Sequence, residues 1–321
     1  MKKYNYLLGG LSLSIIIGMA AFLLGSQTVS TVERQPVVSS TTVSVPVPES
    51  VEFCGNKISL QRLDMRERFD REMNALTYLH STTLLDFKRA NRYFPIIEPI
   101  LKRNNIPDDF KYLCVVESNL DTRAVSPSKA VGLWQFMEDT GKRFGLEITP
   151  EVDERYHIEK ATEAACRYFK EAYGKYGNWP CVAISYNAGM KRISDSLQNQ
   201  RSDSAFDLWL PVETSRYIFR IMAIKEIFEH PKYYGFVLKK SDLYPQVRTH
   251  NVEVTSDIGS LALFAKENGI NYMQLREYNV WIRDTKLTVG KGKSYQIAIP
   301  ETDDLYYNER KVKVYNPAWL Q

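Results

Sequence analysis

Between Ile96 and Phe236 apolar residues recur at spacings of three and four, in segments separated by Gly, Pro and Asn, and this pattern confines the middle of the chain to a stack of helices. Phe110, Leu113 and Val116 mark one apolar face, opened by Pro107 and Asp108. Ile158, Ala161, Ala165, Tyr168, Ala172 and Tyr176 mark a second, closed by Gly177. A third helix starts at Trp179-Pro180, where proline's missing N–H costs nothing, and ends near Gly189. A fourth follows Leu210-Pro211 and buries Ile218, Ile221, Met222 and Ile227. Ahead of this region, 60–95 carries Met65, Phe69, Met73, Leu76 and Leu79 at helical spacing and reads as one leading helix packed on a domain at 96–240.

After Tyr244-Pro245 the period changes. An alternating segment, Asn251 to Val254, precedes a helix opened by Ser256-Asp257 that buries Ile258, Leu261, Phe264 and Ala265 and stops at Gly269. A short helix from about Tyr272 to Tyr278 and a strand from Tyr295 to Ile299 complete a β-α-α-β module within 246–300. The tail at 301–321 carries no pattern.

At the N-terminus, Lys2 and Lys3 precede an almost uncharged apolar run from Leu7 to Gly25. Its length is near the roughly 20 residues that span a bilayer and exceeds the roughly 7 to 15 of an ordinary signal core. Residues 1–25 therefore read as an export segment. Length favours a retained inner-membrane anchor with the lysines inside, and the small Gly25-Ser26 pair keeps a cleaved signal open. No Cys follows the run, which argues against a lipoprotein. Residues 26–59 read as a flexible linker, rich in Ser, Thr, Val and Pro up to Ser50, with a reach of about 25 to 30 Å.

Composition removes several function classes. The 42 basic and 38 acidic residues leave a net charge of only +4, with no Lys/Arg cluster interleaved with aromatics, so nucleic acid is not an expected partner. The four cysteines show no CxxC spacing, HExxH is absent and there are four His, so neither a metal nor another cofactor is expected. Three of the cysteines, Cys114, Cys166 and Cys181, fall on apolar helix faces and read as small buried hydrophobes. Twenty Tyr, 14 Phe and 5 Trp supply rings that can stack on sugars, although most read as core.

The segment KYLCVVESNLD at 111–121 delivers a carboxylic acid at the C-terminal end of an apolar helix. Burial beside Cys114, Val115 and Val116, together with the negative helix pole, favours a protonated Glu117. Such an acid can protonate the leaving oxygen of a glycosidic bond. Taken alone, a Glu at a helix end is more often a solvated surface residue.

Four segments give that acid a context: ESNLDTRAVSPSKAVGLWQFM at 117–137, DERYHIEKATEAACRYF at 153–169, WPCVAISYNAG at 179–189 and LPVETSRYI at 210–218. In this order and spacing they resemble a lytic transglycosylase domain, the last matching the membrane-bound lytic murein transglycosylase D branch. The resemblance implies a mainly α, lysozyme-like fold of the goose-type kind with Glu117 as acid and then base. It implies that Ser118 supports the acid or the sugar, that Gln135 faces the cleft, that Tyr186 and Asn187 contact the sugar, and that Tyr217 hydrogen-bonds near Glu117. Trp134 and Phe136 read as core, and Asp153-Glu154-Arg155 as a cap and ion-pair cluster. Glu138 and Ser128-Lys129 depart from the family pattern, as does His157 where Asp is usual.

Residues 246–300 resemble a LysM domain, with Leu275, Asn279 and the closing IAIP. The usual opening GDTL stands as Ser256-Asp257-Ile258-Gly259, and the resemblance implies binding of glycans that contain N-acetylglucosamine, the alternative being a module that only packs on the catalytic domain.

Ordinary glycosidases need two carboxylates. Only one belongs to the pattern here, which implies non-hydrolytic cleavage of the β-1,4 bond between N-acetylmuramic acid and N-acetylglucosamine, leaving 1,6-anhydro ends. Two alternatives stay open. A hydrolysing muramidase would need Glu138 or Asp139 as a second acid, and a non-catalytic peptidoglycan-binding protein could use the same fold. The expected partners are peptidoglycan strands in the cell envelope and, if the first segment is retained, the membrane; no feature points to a protein partner.

Overall fold

The structure, a computed structural model, describes residues 43–321. The export run and the linker before residue 43 lie outside the described residues, and no described helix is long and apolar enough to cross a membrane. Helices dominate what is described, as the periodicity predicts.

Residues 50–59, expected as linker, instead form a hairpin of β1 (Ser50–Phe53) and β2 (Asn56–Ser59), with Phe53 opposite Asn56. Cys54 and Gly55, both at positive φ, make the tight turn. Val51 and Phe53 are buried, and the Cys54 N–H donates to Asp109 Oδ2 at 2.6 Å. Two inward residues are too short an alternation to stand out from a Val-rich tether.

Two helices, α1 (Leu63–Tyr78) and α2 (His80–Arg103), replace the single leading helix. The break falls at Leu79, whose ψ of 51° leaves the helical region. Beyond it, α2 runs through Pro95 and Pro99 across the boundary expected at 95–96. Proline removes a helix donor, and at Pro95 the carbonyl released is that of Asn91. That carbonyl accepts from Gln246 Nε2 at 3.4 Å, while burial of Phe94, Ile97, Ile100 and Leu101 holds the helix in register.

Six further helices follow: α3 (Phe110–Ser118), α4 (Glu138–Arg143), α5 (Ile158–Tyr176), α6 (Trp179–Ala188), α7 (Met190–Asn199) and α8 (Val212–Glu229). Gly177 ends α5 in the left-handed region, and the next residue, Asn178, caps α6 by accepting from Cys181 N at 2.9 Å. The expected apolar face of α8 is buried, and the helix packs on α1, α3 and α6. Short α4 and α7 were not legible in the periodicity.

The C-terminal module has the expected order: β3 (Thr249–Val254), α9 (Leu261–Glu267), α10 (Tyr272–Tyr278) and β4 (Tyr295–Pro300). β3 and β4 pair antiparallel from Thr249 opposite Pro300 to Val254 opposite Tyr295. Asn279 joins the layers through its buried amide, donating to Leu275 O at 2.9 Å and Ala298 O at 2.7 Å and accepting from Ala298 N at 2.8 Å. The module is not a free arm. Val131, Val152 and Tyr156 of the helical region share its apolar cluster, Asp153 N donates to Trp281 O at 2.8 Å, and Arg283 N donates to Glu151 O at 2.7 Å.

The tail, unreadable in sequence, returns to the helical core. Trp319 is buried between Phe87 and Phe228, and its indole N–H donates to the Phe228 carbonyl at 2.9 Å. Asn91 fixes the approach, donating to Lys313 O and accepting from Tyr315 N.

The chain leaves α3 through two left-handed residues, Asn119 (φ 51°) and Leu120 (φ 53°), a costly conformation away from glycine. Asn119 Nδ2 donates to Asp86 Oδ2 at 3.2 Å, Arg89 Nη1 donates to Asn119 O at 2.9 Å, and Leu120 is fully buried. Burial pushes Asp86 up to about 7, against its hydrogen bond from Asn119 and the charge of Arg89.

Two outcomes follow. Trp319→Ala should cost about 3 to 5 kcal/mol, read as an earlier urea midpoint; an unchanged midpoint would place the tail outside the core. The folded protein holds the Asp86 proton more tightly than the unfolded chain, whose carboxyl titrates near ~3.9, so this stabilisation is complete below that pH and fades as pH rises through about 7. Asp86→Asn should therefore raise stability at pH 8 by roughly 1 to 3 kcal/mol and leave pH 4 little changed; equal effects at both pH values would refute the titration.

Candidate active site

Three helices and one turn converge on Glu117. The acid stands in the last turn of α3, half-buried, and accepts a hydrogen bond from the buried Tyr217 hydroxyl on α8. Burial pushes its carboxyl up to about 7; the Tyr217 hydrogen bond opposes this, Glu213 adds to it and Arg220 opposes it. Near neutral pH the group is thus shared between acid and base forms. Tyr186 on α6 also lies in its field: burial and then the Glu117 charge push the Tyr186 phenol well above its ordinary range, and the same two causes act on Tyr217.

The turn at 132–136 lies against α3 and α6 through its own carbonyls. Ser118 Oγ donates to Leu133 O at 2.9 Å, Cys114 Sγ approaches the same oxygen at 3.3 Å, and Tyr186 Oη donates to Trp134 O at 2.7 Å. Gln135 sits at φ 49° with its amide donating back to Gly132 O at 2.8 Å. Gly132 is required on two counts: its φ is 77°, and an added Cβ would stand 2.1 Å from the Arg155 carbonyl.

These contacts place each expected residue. Tyr217 bonds Glu117, as the resemblance implied. The Ser118 hydroxyl meets Leu133 O and, at 3.1 Å, Cys114 O, which ties the turn to α3 beside the acid. Gln135 is half-buried with its N–H groups folded into the turn. Asn187 accepts from Thr214 Oγ1 at 3.0 Å, linking α6 to the first turn of α8. Trp134 and Phe136 are core, the former donating to Thr162 Oγ1 at 2.8 Å. Asp153 and Arg155 form the expected ion pair at 2.7 Å, and Arg155 Nη1 also donates to Phe136 O at 3.2 Å, bracing the turn from behind.

Glu138 is exposed and ion-paired with Lys142 at 2.6 Å, and neither it nor Asp139 contributes to the field at Glu117. The carboxylate that does is Glu213, four residues before Tyr217 on the same helical face. Its place in LPVETSRYI was the available signal. Arg220, three residues after Tyr217, shares that face. A concavity of about 400 Å³ lies away from Glu117, lined by Val254, Asp257, Ile258, Leu263 and Phe264 of the C-terminal module.

Residues 94–208 match the transglycosylase SLT domain family, and residues 250–303 match the soluble lytic transglycosylase C-terminal LysM-like domain family. The chain is 28% identical over 242 residues to the membrane-bound lytic murein transglycosylase D of Escherichia coli strain K12, across 74% of this chain and 52% of that protein. It thus spans about half the length of the curated relative it matches. Two solved structures overlap parts of the chain. A lytic transglycosylase Slt from Pseudomonas aeruginosa covers 44% of this chain and 24% of its own at TM-score 0.35 and 18% identity. The 70-kDa soluble lytic transglycosylase bound to bulgecin A covers 54% and 31% at TM-score 0.38 and 17% identity. Glu117 lies inside the first matched segment, and the docked β-α-α-β module fills the second, so the chain carries an SLT-like segment followed by a LysM-like one.

Proposed function

We propose that the chain is a peptidoglycan lytic transglycosylase of lysozyme-like fold, with Glu117 as its single acid and base. The observation that carries this is a half-buried carboxyl pushed up to about 7 and held by one tyrosine hydroxyl inside a matched SLT domain. The catalytic unit extends past the matched segment to include α8, which supplies Tyr217.

Protonated Glu117 gives its proton to the oxygen that leaves with N-acetylglucosamine as the bond to muramic-acid C1 breaks. The carboxylate formed then takes the proton of the C6 hydroxyl while that oxygen bonds C1 and closes the 1,6-anhydro ring. Water is neither consumed nor released. Tyr217 steadies the carboxylate between the two transfers through a charge-assisted hydrogen bond. Tyr186 and Asn187 shape the sugar site from α6, Gln135 borders it, and Ser118 keeps the turn in place. The LysM-like module binds glycan along its concavity, and the enzyme works in the cell envelope, tethered to the membrane through residues 7–25.

The hydrolytic reading has one observation in its favour, the exposed Glu213 carboxylate near Glu117. Mass spectrometry of digested sacculi separates the two: anhydro ends are expected, and products heavier by one water would transfer Glu213 to the role of base. Glu117→Gln should abolish turnover with an unchanged melting profile. Because the first step needs the protonated acid, kcat/KM should fall as pH rises through about 7. Tyr217→Phe should move that fall to higher pH and lower kcat by about 10- to 100-fold, since a hydrogen bond to a charged group contributes ~1.5 to 3 kcal/mol.

A further inference from the structure

Glu72 on α1 is a carboxylate only 1% exposed, in a helix that lies outside the matched SLT segment. Two arginines of α8 close on it. Arg216 Nε donates to Oε1 at 2.5 Å and Nη2 to Oε2 at 3.3 Å, and Arg220 Nε donates to Oε2 at 3.2 Å. A buried carboxylate paired with two half-buried arginines is weak support for stability, because the desolvation of Glu72 offsets much of the attraction. Its location is more telling. Tyr217, which bonds Glu117, lies between these arginines in sequence, and Glu213, Tyr217 and Arg220 follow one another at spacings of four and three along α8. Arg220 therefore stands at the border of two faces, one turned to Glu72 and one to the acid. Its charge reaches both.

We propose that Glu72 is a positioning residue of the active site, which holds Arg220 on the α1 side of α8 and fixes the turn that presents Tyr217 to Glu117. The inference rests on Glu117 being the acid. Without Glu72 the Arg220 guanidinium loses its carboxylate partner, and its charge, which already favours the ionised form of Glu117, draws the proton off the acid more strongly. The charged and titratable groups bearing on Glu117 are Glu213, Tyr217 and Arg220 from α8, Tyr186 from α6 and Cys114 from α3. Among them Arg220 is the only cation, acting on the acid after burial, Tyr217 and Glu213, and so the one group whose displacement would add positive charge beside it.

The test uses the full chain and two readouts: the pH profile of kcat/KM on sacculi, and the pH midpoint of the Glu117 carboxyl carbon by ¹³C NMR. Glu72→Gln should move both midpoints down by roughly one pH unit, Arg220→Met should move them up, and the double variant should lie well above Glu72→Gln alone. Midpoints that stay in place in both single variants overturn the proposal, as does a double variant identical to Glu72→Gln. If Glu72→Gln does not fold, Glu72→Asp takes its place: the shorter carboxylate loosens the hold on Arg220 and should move both midpoints down, and midpoints that stay in place overturn the proposal. Turnover surviving in Glu117→Gln would instead refute the catalytic reading, and the NMR midpoints would still report on Glu72.

Discussion

The hydrogen bond from Tyr217 to Glu117 joins residues 100 positions apart and sets what the rest of the helical unit must do. The Glu117 carboxyl, in the last turn of a nine-residue helix, takes its side-chain hydrogen bond from a neighbouring element and not from its own helix. Here that neighbour is α8, 18 residues long, which is buried on almost every side from Tyr217 to Phe228 and sets Tyr217, in its second turn, against the acid. The cost falls on the exit from α3, where Asn119 and Leu120 take left-handed conformations so that the chain turns away without covering the carboxyl. Asp86, Arg89 and the buried Leu120 side chain offset that strain.

What could be read from sequence follows physical range. Helices with a full apolar face, such as Ile158–Tyr176 and Val212–Glu229, declare themselves because every turn repeats the signal. The hairpin at 50–59 and the six-residue helix at Glu138–Arg143 do not, because they are too short to repeat a signal, and Met190–Asn199 does not because it buries only Met190 and Ile193. The tail was opaque for another reason. Trp319 is buried by partners from α2 and α8 that lie far back in the chain, and no local period marks such a contact.

The site divides the same way. Glu117 and Tyr217 were legible as residue types in recurring segments, and the structure brings them together. Ser118 was expected to support the acid or the sugar and Gln135 to face the cleft; what the sequence did not show is that both also donate to main-chain carbonyls of the turn, where backbone groups need partners. Glu72 was unreadable as a site residue: in sequence it is one acid in a charged helix, and its burial against two arginines exists only in the fold.

The docked C-terminal module alters the meaning of the cluster at 153–155. Seen from the sequence, Asp153 and Arg155 cap a helix. In the fold they face two ways: the Asp153 main chain bonds Trp281 of the module, while the Asp153 side chain fixes the guanidinium that donates to Phe136 O in the turn beside the acid. Arg283 lies 4.3 Å from the Tyr156 ring centroid, and His157 stacks on Trp281, so the contact is broad. A glycan-binding module hung on a free linker would leave the acid's surroundings unchanged whether bound or not. A module whose backbone bonds to the brace of the turn is part of the scaffold, and its loss would remove a support of the site.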